Sequence, residues 1–171
     1  MDEQLIAKNT ELLERSRINA IRKRLKKELD AMYNSFAQIE VEIPEDHKYQ
    51  VTVYEITAEN KMQKYGFEIT PNYPFTAPIV SFQGRPYKEF LRVLNTVTEY
   101  NVFKKVTGLS CFCCSSLTCR DNWTPSATLS RLIDEIRRVK KMKRDVVNKL
   151  MADKIKLRYL IDDIDFDSWL F

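Results

Sequence analysis

All four cysteines of the chain, Cys111, Cys113, Cys114 and Cys119, fall within nine consecutive residues. A disulfide framework ties distant segments together, and adjacent Cys113 and Cys114 could bridge each other only with strain, so these thiols are not staples. Three roles remain: a covalent nucleophile, a metal ligand, or a small buried thiol of the core. A nucleophile needs an accessible thiolate that attacks a carbonyl and keeps the acyl group as a thioester still reactive toward amines. A metal site would use Cys111, Cys113, Cys114 and Cys119 as four thiolates, the number a structural zinc takes. Such sites draw paired cysteines from two separated segments, and one short loop wraps poorly around a tetrahedral ion, so no metal is expected. His47 lies far off in a polar turn and reads as a solvated turn residue rather than a ligand.

The second chemical feature is a basic run, Arg137, Arg138, Lys140, Lys141, Lys143 and Arg144, with no acid inside it. It reads first as the solvated face of a helix and second as a surface for an acidic partner. A protein that binds a nucleic-acid backbone spreads its cations along a groove with aromatics between them, so nucleic acid is not an expected partner.

Four strands and several helices must position these residues. Ile18, Ile21, Leu25, Leu29 and Met32 recur at three and four residues, which predicts a helix from Asp2 to about Phe36. Alternation predicts strands at Gln38–Ile43, Tyr49–Ile56 and Lys64–Thr70, and a short apolar run predicts another at Ile79–Phe82. Short polar connectors make these an antiparallel meander. Tyr87, Phe90, Leu91, Leu94 and Val97 return to helical spacing and predict a helix near 86–99. The cysteine segment, 110–122, has no period and reads as an irregular loop. Thr124-Pro125 is expected to open a long helix carrying Leu129, Leu132, Ile133, Ile136, Val139, Met142, Val146 and Leu150.

With 171 residues, 44% of them hydrophobic, and with 9 Phe, 8 Tyr and 2 Trp, the chain is a one-domain globular length. Net charge is +4. No apolar run approaches the roughly 20 residues that span a bilayer, and Met1-Asp2-Glu3-Gln4 does not open a signal peptide. A cytoplasmic protein without membrane contact is expected.

Three motifs, in order, resemble the ubiquitin-conjugating enzymes. Arg24-Leu25-Lys26-Lys27-Glu28-Leu29 is similar to that family's R-(I/L)-x-K-E-L. The stretch from Phe67 to Phe82, with Tyr73-Pro74-Phe75 and Pro78 at its centre, resembles F-x-I-x-F-P-x-x-YPF-x-PP-x-V-x-F. Gly108-Leu109-Ser110-Cys111, followed by Asn122-Trp123-Thr124-Pro125-Ser126-Ala127, resembles G-x-I-C-L and W-(S/T)-P-(A/S). The resemblance covers roughly residues 20 to 140. It implies an α+β fold of the ubiquitin-conjugating type: an N-terminal helix, a four-stranded antiparallel meander, an irregular cysteine-bearing segment and a long C-terminal helix. Residues 1–20 would be a helical extension, 20–158 the domain with a helical insertion at 86–106, and 159–171 an acidic and aromatic tail that a protein partner could cover.

The resemblance also implies a transferase that carries ubiquitin, or a ubiquitin-like protein, as a thioester on Cys111 and passes it to a lysine. Gly108 precedes Cys111 at the family distance and Phe112 stands for the usual apolar residue; Cys113 or Cys114 fits if the inserted residues precede the cysteine. The family's His-Pro-Asn has no counterpart, because the matching positions hold Asn101, Val102 and Phe103. Asn101 or Asn122 would then support the oxyanion or the loop, and loss of one such donor costs on the order of 100-fold in rate. Lys23 and Arg24 match positions that face the activating enzyme, and Phe75, Pro125 and Ser126 match those that ligases grip; Trp123 reads as scaffold packing. The upstream enzyme consumes ATP, and the chain itself needs no cofactor. The missing motif and the atypical tail leave a second reading, a non-catalytic binding or structural module of the same fold. Divergence of this degree would suit a viral member, in the host cytoplasm or as a particle component.

Overall fold

A computed structural model describes residues 3–43, 48–93 and 96–156, with side chains for 10–43, 48–93 and 96–153. His47 and the 159–171 tail lie outside the described residues.

Helix α1 spans Glu3–Met32. Its stripe turns inward as the spacing predicts: Ile21, Leu25 and Met32 are buried and Ile18 and Leu29 half-buried, while every residue from Thr10 to Arg17 is exposed. Five strands follow: β1 Gln38–Glu42, β2 Tyr49–Ile56, β3 Met62–Ile69, β4 Ile79–Phe82 and β5 Arg85–Pro86. They form one antiparallel sheet in sequence order, with Val53 opposite Tyr65 and Tyr65 opposite Phe82. One face carries Tyr49, Val51, Val53, Tyr65, Phe67, Val80 and Phe82 into the core. The predicted meander is therefore present with a fifth strand added. Gln83 and Gly84, both at positive φ (51° and 75°), turn the chain back into that strand. Two residues ending in a proline that lacks an N–H give no alternation to read.

The helix expected over 86–99 is two helices. Tyr87–Phe90 makes one turn, α2, and α3 runs over Val97–Thr107. The second start is fixed by a capping box: the Glu99 N–H donates to Thr96 Oγ1 (3.3 Å) and the Thr96 N–H to Glu99 Oε2 (3.1 Å). The last helix, α4, is Leu129–Lys156, and Pro125 does not open it. Pro125 sits instead in a turn closed by the Ala127 N–H on the Thr124 carbonyl (2.9 Å). The α4 start is capped by Thr128, whose Oγ1 accepts the Arg131 N–H at 3.3 Å, and by a carboxylate from another helix. That carboxylate is buried Glu28 of α1, which accepts from the Leu129 N–H (2.9 Å), Tyr73 Oη (2.6 Å) and Arg24 Nε (2.5 Å).

Leu129, Leu132, Ile133, Ile136, Val139, Val146 and Leu150 of α4 complete the core. The basic run on this helix is only partly a solvated face. Arg137 lies against β2, its guanidinium on both Glu55 oxygens (2.6 and 3.3 Å), and Lys143 is 1% exposed. No described helix is long and apolar enough to cross a membrane.

Candidate functional site

The thiol loop begins where α3 ends. Gly108 takes the left-handed conformation (φ 71°) at the helix C-cap and donates its N–H to the Lys104 carbonyl at 2.9 Å. Thr107 Oγ1 accepts the Leu109 N–H (3.1 Å) and sends its own proton to the Phe103 carbonyl (2.8 Å), which fixes the exit of the chain. Phe112 then anchors the loop. It is buried and meets Phe103 edge-on at 4.9 Å between ring centroids.

With Phe112 inside, its neighbours are turned outward: Cys111 is half-buried, Cys113 and Cys114 exposed. A 3-10 turn over Cys113–Ser115 folds the chain so that three sulfurs meet. The Cys113 thiol donates to Cys111 Sγ at 3.2 Å, Cys113 and Cys114 sulfurs are 3.9 Å apart, and the Cys114 N–H donates to Cys111 Sγ at 3.3 Å. Cys119 is not in this group, so the four-thiolate set is not assembled; the three sulfurs of Cys111, Cys113 and Cys114 are within 4.8 Å of one another.

The far side of the loop is held by Glu135 of α4, a buried carboxylate. Its oxygens accept Ser116 Oγ (2.6 Å), the Leu117 N–H (2.6 Å) and Tyr87 Oη (2.9 Å), joining loop, α2 and α4. Burial and the facing Glu135 charge raise the Tyr87 phenol and keep it a proton donor. Asn122 closes the loop from behind. Its amide nitrogen donates to the carbonyls of Cys114 (2.7 Å) and Ser116 (3.0 Å).

These contacts set the electrostatics of the thiols. Hydrogen bonds from the Cys114 thiol first, then from the Cys114 N–H and the Cys113 thiol, hold Cys111 below the ordinary cysteine range. Facing Cys111 and Cys113, the Cys114 thiol is pushed up to about 12 and stays protonated. Of the three sulfurs, Cys111 is the one that accepts both an S–H and a backbone N–H.

The other sequence-selected residues are spread more widely. Asn101 is exposed on α3 and, among the described residues, makes no hydrogen bond with the thiol loop. Asn122 is at the loop, with its N–H groups committed to carbonyls. Lys23 is exposed, whereas Arg24 is held internally by Glu28 and the Ala127 carbonyl (3.1 Å). Phe75 is 77% exposed, and Pro125 and Ser126 are exposed. Trp123 ties their two loops together by donating its indole N–H to the Pro74 carbonyl at 2.7 Å, with its ring 6.2 Å from Tyr73. Sequence reasoning missed Glu135, Ser116 and Tyr87. Glu135 had a signal: it stands three residues after Leu132 and beside Ile136, an acid on the apolar stripe of a helix. No family model, curated protein or solved structure matches the chain.

Proposed function

We propose that the chain is a conjugating transferase of the ubiquitin-conjugating type, carrying ubiquitin or a ubiquitin-like protein on Cys111. The observation that carries this reading is the Cys111 sulfur, half-exposed in a braced loop and receiving an S–H at 3.2 Å and an N–H at 3.3 Å. Those donors stabilise a thiolate without burying it. An α+β arrangement of helix, antiparallel meander, thiol loop and long helix, with Trp123-Thr124-Pro125 following the loop, supports assigning the fold to that type.

In the first step the Cys111 thiolate attacks the thioester carbonyl on the activating enzyme. A Cys111 sulfur–carbon bond forms, and the activating enzyme's thiolate leaves. In the second step a lysine amine attacks the new thioester, an amide bond forms, Cys111 departs as the thiolate and the amine proton passes to solvent or the partner. The exposed Phe75, Pro125 and Ser126 would receive a ligase, and Lys23 the activating enzyme. The setting would be a cytoplasm, a host's if the chain is viral.

A thioester assay tests the reading: protein, modifier, activating enzyme and ATP on non-reducing gels. A reducible adduct should form, survive Cys113→Ser and vanish in Cys111→Ser. No adduct with ubiquitin or its relatives would favour the second reading, a non-catalytic module. That reading draws on one observation: among the described residues no carboxamide N–H is directed at Cys111, since Asn122 donates to carbonyls and Asn101 makes no bond to the loop.

A further inference from the structure

The geometry points to a three-thiolate zinc site at Cys111, Cys113 and Cys114, with Cys111 shared between metal binding and acyl transfer so that zinc occupancy and thioester formation exclude each other.

Zinc–thiolate bonds of about 2.3 Å place the sulfurs of a tetrahedral site about 3.8 Å apart. Here the Cys113–Cys114 separation is 3.9 Å and the Cys111–Cys113 separation 3.2 Å, all three sulfurs lying within 4.8 Å of one another. The Cys111–Cys113 pair must open, and it is held close by a shared thiol proton that metal binding removes. On binding, each thiol releases its proton to solvent and three zinc–sulfur bonds form, with no change of oxidation state. Cys113 and Cys114 are exposed, so the ion enters without displacing core, and its fourth position is left to water.

The frame is built before the metal arrives. Phe112 and Phe103 hold one side, Glu135 and Asn122 the other, and the Cys114 N–H already donates to a prospective ligand sulfur. Cys119 lies outside the cluster and plays no part. The exclusion half of the inference rests on the reading of Cys111 as the thioester carrier; the binding half does not.

The test uses the reduced full chain and Zn²⁺ alone, titrated against a chromophoric chelator, with Co²⁺ as a spectroscopic stand-in. One Zn²⁺ per chain and thiolate-to-cobalt charge-transfer absorption are expected. Cys113→Ser/Cys114→Ser, at two exposed positions, should lower affinity by more than the about 100-fold at which changes behind the ligands reach their limit. Cys119→Ser should bind as the parent does. Iodoacetamide labelling of Cys111, read by mass spectrometry, should fall with zinc occupancy and recover with chelator. Binding below one equivalent, or binding indifferent to the double substitution, overturns the site. A zinc-binding chain that, once chelated, charges with no modifier overturns the thioester reading and the exclusion while the metal site stands.

Discussion

Lys143 is the residue whose surroundings depart furthest from what its type suggests. Its side chain is buried in α4 with Nζ 4.1 Å from the Phe90 ring centroid, and burial lowers its pKa from 10.5 to about 7. The unfolded chain therefore holds this proton between about pH 7 and 10.5 while the folded chain does not, so stability rises with pH across that window. Below pH 7 the buried ammonium is present and its cost is complete. The shift sets a ceiling of about 5 kcal/mol on that cost. Lys143→Met should accordingly stabilise the protein at pH 6, by less than this ceiling, and flatten the rise toward pH 10. Urea unfolding at several pH values measures both; a Met variant less stable at pH 6 would contradict the account. The position was readable. Lys143 falls four residues after Val139 and three before Val146, on the apolar stripe, but its membership of a basic run argued for solvent. Charge type and helical phase disagreed, and phase decided.

At the scale of elements, Glu135 joins the thiol loop to the helix behind it. Both oxygens of this carboxylate accept, from two hydroxyls and a backbone N–H, so an amide at this position turns one acceptor into a donor facing donors. Glu135→Gln should cost about 2 kcal/mol, the range for a hydrogen bond to a charged group. It should also speed hydrogen exchange at the Leu117 amide well beyond the global loss of stability; unchanged exchange there would remove Glu135 as the brace. The elements themselves were legible wherever a period was long. The α1 stripe turns inward as its pattern put it, though the helix stops at Met32 rather than near Phe36, and the three alternating strands stand within two residues of their expected ends. The short apolar β4 also stands where it was expected, but β5 and the interrupted helix after it were not legible. The Thr96-to-Glu99 capping box was present in the sequence, yet Val97 also extended the spacing begun at Tyr87, and one period concealed two helices. At α4 the proline signal was local and right for a turn; the helix start was set by Glu28, a partner about a hundred residues away.

For the molecule as a whole, what could be read was what lies close together in sequence. The three thiols were visible as a cluster because a tight turn needs only neighbours, whereas the exclusion of Cys119 and the carbonyl partners of Asn122 depend on how the loop closes. The same division bears on how the chain reaches this structure. Among the described residues each strand bonds only to its predecessor and successor, so the sheet can grow by successive hairpins with small loop-closure cost. The contacts between α1 and α4 close a far longer loop, through Glu28 and Leu129 at a separation of 101 residues. The sheet core should therefore dominate the folding transition state, with Val53→Ala giving a high φ-value and Glu28→Ala a low one. Stopped-flow chevrons on the two variants would read this, and the reverse order would refute it. The thiol loop is braced from nearby in sequence, by Phe103 and by Glu135 nineteen residues beyond Ser116, so its sulfurs are held in place once α3 meets α4, without waiting for the long closure onto α1.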